Sequence, residues 1–223
     1  MARLDHVIRV SSNEGDVVFD PFCGCGTTIY AAHEANRQWI GCDVAILAVR
    51  LVEDQLEGRY GLLRDEQYEE HGIPNSVESA KALWDEDPFQ CEHWAAEYVD
   101  GFPTKKTGDK VIDGKIYFEL DDELGVMVLS VKGGTVRPTD IRDLRGVLAD
   151  DPDATLGGFI TMRKPSKKMR EAAGKAGMWE HLGVDYPLIQ ILTINEIVEE
   201  KRRFQTPTKI GTKAKGEQTR LSV

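Results

Sequence analysis

The sequence predicts an α/β fold in two parts. The first observation is an alternation of strand, helix, strand and helix with short links over residues 1–61, which is typical of a parallel sheet. The second is a polar, acidic segment broken by Gly72 and Pro74. The third is a new series of apolar runs beyond it, at strand and helix spacing. With 223 residues the chain is long enough for one or two domains.

The elements of the first part follow from the spacing of apolar residues. Residues 6–12 end a short amphipathic helix, and residues 15–20 form a buried strand closed by Asp and Pro. Apolar and small residues recur at helical spacing over 27–36, with threonine as the expected cap. A strand over 38–43 and a helix over 45–61, which ends at a glycine, complete this part. The order predicts one strand–helix–strand unit on a parallel sheet.

The elements of the second part follow an acidic linker over 62–84, within which a short helix is predicted over 76–84. The series beyond it is helix 88–99, strands 114–120 and 125–132, helix 139–150, strand 157–162, helix 166–177 and strand 187–193, before a polar exit from residue 195. We therefore predict a first domain over 1–61, a linker over 62–84, a second domain over 85–200 and a basic flexible tail over 201–223.

Charge is distributed unevenly along a chain whose net charge is −10. Residues 53–100 contain 14 Asp and Glu against 3 Lys and Arg, whereas residues 201–223 contain 7 Lys and Arg and one acid, Glu217. Because local patches rather than the total bind phosphates, the net charge does not exclude nucleic acid as a partner. A solvated basic tail without a partner is an equal alternative.

Cysteine usage and hydropathy predict a reduced, cytoplasmic protein with no membrane partner. The four cysteines are too few and too clustered for a disulfide framework. No apolar run is long enough to span a bilayer, and the N-terminus lacks the pattern of a signal peptide.

The segment DPFCGCGTT, residues 20–28, places two glycines between a strand and a helix. Glycine permits a sharp turn and lets a ligand approach the backbone near a helix N-terminus. Asp43 ends the next strand, where an acid can accept both hydroxyls of a ribose. The segment does not match a dinucleotide-binding fingerprint or a Walker loop, because the later residues of both motifs are absent. A metal knuckle would need a second pair of ligands, which the sequence does not place nearby. A tight strand-to-helix turn without a ligand is the remaining alternative.

This segment and the GCD that follows it closely resemble the S-adenosyl-L-methionine motif of the DNA methyltransferases that modify the amino group of cytosine (N4) or adenine (N6). The resemblance covers about residues 4–60 and implies a partial Rossmann-like, SAM-dependent methyltransferase fragment. It implies that Asp43 holds the ribose and that the methionine side is framed by Asp20, Phe22, Gly24 and Gly26.

The chain departs from that family because it has no Asp/Asn/Ser-Pro-Pro-aromatic tetrapeptide, the loop that grips the target amino group. In the family order that this chain resembles, that loop lies upstream. The resemblance therefore implies the C-terminal part of a methyltransferase, with half a cofactor pocket and no methyl-transfer site. We expect a separate upstream polypeptide to carry the missing half and to dock on residues 1–60.

A second constellation lies around the predicted hairpin of strands 114–120 and 125–132. Asp113 begins one strand and Lys132 ends the other, and the side chains of residues 130 and 132 share a face. Hydrolysis of a phosphodiester needs an acid that holds a divalent cation and a cation that orients the attacking water. Asp113 and Lys132 have these properties. The alternative interpretations are that Asp113 is a turn residue and that Lys132 is an exposed lysine at a strand end.

These residues resemble the PD-(D/E)xK nuclease superfamily, in particular its Mrr-like restriction branch, over about residues 85–198. The matching pieces are Glu92, Gly108-Asp109, Ile112-Asp113-Gly114 and Ser130-Val131-Lys132. The resemblance implies a restriction-endonuclease-like α/β domain in which Asp113 and Glu92 bind Mg²⁺ and Asp113, Lys132, Glu92 and Ser130 form the catalytic set. A methyltransferase tail followed by an SVKGG segment is also similar to methyltransferase–nuclease fusion proteins.

Serine at position 130 departs from the acid or glutamine of that superfamily, and a neutral hydroxyl is a poorer metal ligand. Glu92 is expected to supply the missing carboxylate, with a solvated helix face as its alternative. Two function hypotheses follow. The first is a restriction–modification protein that acts on double-stranded DNA. The second is a catalytically inactive DNA-binding or assembly module that completes a split methyltransferase.

Overall fold

The computed structural model describes residues 2–104, 112–121 and 123–207. The chain is a mixed α/β protein and divides into two units, Met1–Ile73 and Pro74–Val223. The predicted α/β class is confirmed. The division falls inside the segment predicted as a linker, and a helix of that segment belongs to the second unit. None of the helices in the described part of the chain combines the length and apolarity needed to cross a bilayer.

The first unit contains a two-stranded parallel sheet with helices around it. Its elements are α1 (Ala2–Ser11), β1 (Val17–Asp20), α2 (Thr27–Glu34), β2 (Gln38–Gly41) and α3 (Ile46–Tyr60). β1 pairs with β2 from Val17 opposite Gln38 to Asp20 opposite Gly41, as the predicted strand–helix–strand unit requires.

One face of this small sheet is covered and the other is open. Val18 and Trp39 pack on a buried cluster from α1 and α2. On the opposite face, Val17, Phe19 and Ile40 are each more than half exposed. A parallel sheet is normally covered on both faces, so this unit leaves apolar surface that its own helices do not bury.

The second unit begins with two capped helices. α4 (Val77–Glu86) starts at Ser76, whose hydroxyl accepts from Ser79 N in a capping box. α5 (Pro88–Tyr98) starts at Asp87, whose carboxylate accepts from two backbone N–H groups of its first turn. Both helices lie where they were predicted because short polar caps and a first-turn proline mark helix starts in sequence.

A mixed five-stranded sheet forms the centre of the second unit, in the order β3-β4-β5-β6-β9. β3, β4 and β5 are antiparallel, whereas β5, β6 and β9 are parallel. The remaining elements are β3 (Phe102–Pro103), β4 (Gly114–Glu119), β5 (Leu124–Lys132), α6 (Pro138–Asp150), β6 (Ala154–Thr161), α7 (Lys167–Gly174), β7 (Met178–His181), β8 (Val184–Pro187), β9 (Ile189–Thr193) and α8 (Ile194–Val198).

Helices cover both faces of this sheet. On one face, α6 and α7 bury Ile141, Leu144 and Met169 against Val128 and Phe159. On the other face, Ala96 of α5 lies so close to Gly114 of β4 that a Cβ at Gly114 would stand 2.8 Å from the Ala96 Cβ. Because both faces are covered, nearly all of β5 is buried.

Four features of the structure differ from the sequence predictions. β7 and β8 form an antiparallel hairpin that the sequence analysis missed. The helix predicted over 166–177 ends at Gly174, and the strand predicted from 157 begins at Ala154. In the first unit, Thr27 is the first helical residue of α2 rather than its cap, which is Gly26 without a side-chain hydrogen bond.

Candidate functional site

The glycine loop of the first unit joins β1 to α2 through two left-handed residues, Gly24 (φ 49°) and Gly26 (φ 79°). The loop is closed by short backbone hydrogen bonds, since Gly26 N donates to Cys23 O at 2.8 Å and Cys23 N donates to Cys42 O at 2.9 Å. Left-handed backbone is accessible to glycine at little cost. The loop conformation therefore explains why glycine occupies both positions.

The two glycines have different surroundings. A Cβ at Gly24 would meet no atom within 4 Å, so the loop backbone is open to a ligand there. A Cβ at Gly26 would stand 2.7 Å from Val52 Cγ2 and 2.8 Å from the Tyr30 ring. Gly26 is thus required for packing against α2 and α3, whereas Gly24 leaves a free approach to the backbone.

Asp43 braces this loop from the end of β2. Its Oδ2 accepts from Gly24 N at 2.8 Å, and its Oδ1 accepts from Ala45 N at 2.9 Å. A carboxylate has about four acceptor sites, so two N–H groups leave it able to accept further hydroxyls. The structure thus gives Asp43 a positioning role that the sequence analysis did not foresee, beside the ribose contact implied by resemblance.

Asp20 and Phe22 complete the predicted set. Asp20 Oδ1 accepts from Phe22 N at 3.0 Å, and Asp20 O accepts from Cys42 N at 2.9 Å. Phe22 is 85% exposed. The structure therefore brings all five predicted cofactor residues into one loop system. The sequence analysis missed Gly41, where a Cβ would stand 2.4 Å from Ile29 Cδ1. The Gly-Cys-Asp sequence at the end of β2 was the signal that could have identified it.

The Cys23 thiol beside this loop is held in its neutral form. Burial, followed by the charges of Asp43 and Asp20, raises the pKa of Cys23 above its ordinary value. Burial also raises the pKa of Tyr30 to about 12. Cys25 and Cys42 are exposed, and all four cysteines are free thiols. The open backbone at Gly24 and the carboxylate of Asp43 are the groups through which this loop can bind a ligand.

In the second unit, the structure brings Asp113 and Lys132 together. Asp113 Oδ2 lies 3.6 Å from Lys132 Nζ and accepts from Val131 N at 2.7 Å. The β4–β5 register causes this arrangement, because Gly114 pairs with Leu129 and Asp113 N donates to Leu129 O. The Asp113 side chain is 4% exposed and that of Lys132 is 35% exposed. The sequence analysis predicted that these two groups lie close together, but it did not predict the burial of the carboxylate.

Ser130 lies on β5, two residues before Lys132, and is fully buried. Its Oγ has no hydrogen-bond partner among the residues that the structure describes. Buried hydroxyls usually find a partner, so this position is unusual. By the two-residue period of a strand, Ser130 and Lys132 lie on the same face of β5.

The remaining predicted residues are placed as follows. Glu92 is buried on α5, where burial and its charge raise the pKa of Cys91 to about 12. Asp109 lies outside the described residues. Within the described ranges, no group of three or more His, Cys, Asp or Glu side chains is arranged to hold a metal ion.

Comparison with known proteins bears on the first unit. Residues 2–54 match the family model N6_N4_Mtase, described as DNA methylase. The type II methyltransferase M.BamHI of Bacillus amyloliquefaciens is 37% identical over 98 residues, which cover 40% of this chain and 22% of that protein. The type II methyltransferase M.EcaI of Enterobacter cloacae is 48% identical over 46 residues, 21% of this chain and 10% of that protein.

A third relative is the probable type III restriction-modification enzyme HindVI Mod subunit of Haemophilus influenzae. It is 38% identical over 64 residues, which cover 27% of this chain and 9% of that protein. The chain thus spans between 9% and 22% of the length of these curated relatives. No solved structure matches the chain. The N-terminal part is therefore similar to DNA methylases, and the three relatives named here are two type II methyltransferases and the Mod subunit of a probable type III restriction-modification enzyme.

Proposed function

We propose that the first unit is the S-adenosylmethionine-binding end of a DNA methyltransferase that acts on an amino group. The observation that carries this proposal is the loop of Gly24 and Gly26, left-handed, open at Gly24 and braced by Asp43. The match of residues 2–54 to the DNA methylase model supports it.

The residues present suit this cofactor. The Gly24 backbone gives a ligand close access, and the free acceptor sites of Asp43 suit the two hydroxyls of a ribose. Phe22 is exposed and can cover an apolar ligand surface. When bound, the cofactor supplies an activated methyl group. The role of this chain is to bind and orient the cofactor.

A second polypeptide that carries the Asp-Pro-Pro-Tyr half is part of this proposal. The open sheet face of Val17, Phe19 and Ile40 supports it, because parallel sheets are normally covered on both faces. The exposed apolar residues Val44 and Leu47 continue this surface in sequence. Docking of a second half would bury this surface and complete the pocket.

Ultraviolet crosslinking of radiolabelled S-adenosylmethionine tests this function. We expect weak labelling of the chain alone and strong labelling after co-expression with the reading frame directly upstream. Asp43→Asn is expected to reduce labelling, whereas Asp54→Asn on the exposed side of α3 is the matched control. Absence of labelling in both preparations would overturn the proposed cofactor role.

For the second unit, we propose a Mg²⁺-dependent DNA endonuclease domain. The observation that favours it is the 3.6 Å contact between Asp113 and Lys132 on neighbouring strands. Asp113 would hold the cation, with Glu92 as the second carboxylate and the buried Ser130 hydroxyl as a neutral ligand. The cation would polarise the phosphate, and Lys132 would orient the attacking water.

Cleavage of plasmid DNA with Mg²⁺ or Mn²⁺ tests the nuclease proposal. Asp113→Asn and Lys132→Ala are expected to abolish cleavage, while Asp121→Asn in the exposed β4–β5 turn should retain it. If the wild-type chain binds DNA but cleaves neither modified nor unmodified plasmid, the alternative of an inactive DNA-binding or assembly module is favoured. Ser130 in place of an acid is the observation behind that alternative.

A further inference from the structure

A basic groove runs between α6 and α7 on the surface of the second unit. It has a volume of about 330 Å³ and contains four cations and one acid, namely Arg142, Arg145, Lys168, Lys175 and Glu171. It lies over the face of the sheet that α6 and α7 cover, with the buried Ile141 as part of its floor.

The cations face the groove because of their spacing. On α6 the lining positions are 138, 141, 142 and 145, and on α7 and its C-cap they are 168, 171, 172 and 175. Positions three and four residues apart lie on one face of a helix. The two helices therefore point their basic faces toward the same channel, and the packing of α6 on α7 creates the site.

The four cations of the groove have no ion-pair partner in the part of the chain that the structure describes. No ion pair involves Arg142, Arg145, Lys168 or Lys175 within the residues described by the structure, and all four side chains are exposed. The acid of the groove, Glu171, instead pairs with Lys167 on its own helix at 3.9 Å. A chain with a net charge of −10 has ample carboxylates for pairing, so this uncompensated cluster is suited to an external anion.

The shape of the groove favours a polyanion. Lys168 and Lys175 are seven positions apart in the sequence, which corresponds to about 10 Å along a helix axis. No buried polar group lines the groove to enclose a small anion. Spread, solvent-exposed guanidinium and ammonium groups are typical of contacts with successive phosphates of a nucleic-acid backbone.

We propose that the α6–α7 groove binds the phosphate backbone of double-stranded DNA without reading its sequence. The choice of duplex DNA rests on the proposed function, whereas the affinity for phosphodiesters rests on the groove itself. Arg142 and Arg145 contact phosphates from one wall, and Lys168 and Lys175 contact them from the other.

Fluorescence anisotropy of a labelled duplex, titrated with the full chain at several salt concentrations, tests this proposal. Two double variants, Arg142→Ala with Arg145→Ala and Lys168→Ala with Lys175→Ala, remove one wall each. Each is expected to lower the salt slope by about 2 and the affinity on the order of tenfold, since each lost phosphate contact removes about one released counterion. Arg9→Ala with Lys81→Ala changes the net charge equally at exposed positions outside the groove and should leave the slope unchanged.

Three results would overturn the assignment. Wild-type slope and affinity in the variant that lacks all four cations would show that the groove does not contact DNA. An equal loss of salt slope and affinity in the charge-matched control would show that the effect comes from the net charge alone. Full competition by millimolar pyrophosphate would favour a small-anion site instead. Thermal melting verifies that the variants fold, and the S-adenosylmethionine crosslink on the same variants tests the proposed function separately.

Discussion

Replacing Gly26 by alanine should destabilise the first unit far more than the same change at Gly24. Both residues have positive φ, so each alanine incurs roughly 1–2 kcal/mol for left-handed backbone. At Gly26 the new Cβ would also stand 2.7 Å from Val52 Cγ2 and 2.8 Å from the Tyr30 ring. Overpacking of this kind costs about 1–3 kcal/mol. We therefore expect a loss of about 2–5 kcal/mol for Gly26→Ala and about 1–2 kcal/mol for Gly24→Ala.

Hydrogen exchange of the α2 amides in the full chain measures this difference, because α2 is buried at Ile29 to Ala32 and reports on the first unit. Gly58→Ala on α3, where a Cβ would meet nothing within 4 Å, is the control and should gain up to about 1 kcal/mol. Equal destabilisation by Gly24→Ala and Gly26→Ala would refute the reasoning, since only the latter creates a clash.

Two further predictions concern buried polar groups. Ser130→Ala should raise the free energy of unfolding of the second unit by about 1 kcal/mol in urea denaturation, since it removes a fully buried hydroxyl without a described partner; a clear loss would show that the hydroxyl makes a stabilising contact. Burial and Glu70 raise the pKa of Glu53 to about 7. The folded state thus holds this proton more tightly than the unfolded state, so stability should fall as pH rises from about 4.5 through 7. Thermal melting of Glu53→Gln should show a flatter pH dependence, whereas the exposed control Glu57→Gln should match the wild type.

Local signals explain what the sequence could predict. Strand β1, the glycine loop and helix α2 follow each other within 18 residues, so turn chemistry and apolar spacing specify them without tertiary information. The proximity of Asp113 and Lys132 was predictable for the same reason. A tight turn between two strands fixes the pairing register, and the register sets the distance between the two charges.

Other features depend on contacts that leave little trace in sequence. The β7–β8 hairpin turns at Leu182 (φ 52°) and Gly183 (φ 76°). Such a turn normally has Asn, Asp or Gly at its first position, so the leucine concealed it. The hydrogen bonds from Gly24 N and Ala45 N to Asp43 join separate parts of the chain. The basic groove likewise exists only once α6 packs on α7.

The strand order of the second unit also sets the sequence of events during synthesis. β4 and β5 can pair as soon as residue 132 has emerged, because a short turn joins them. β6 reaches β5 only after a helical crossover, and its other edge stays unpaired until β9 emerges at residues 189–193. Pairing of distant strands is slow, and an apolar strand with an open edge invites association with other chains. We therefore expect the nascent chain to present an unpaired apolar strand edge until β9 emerges, after the Asp113–Lys132 hairpin is already able to form.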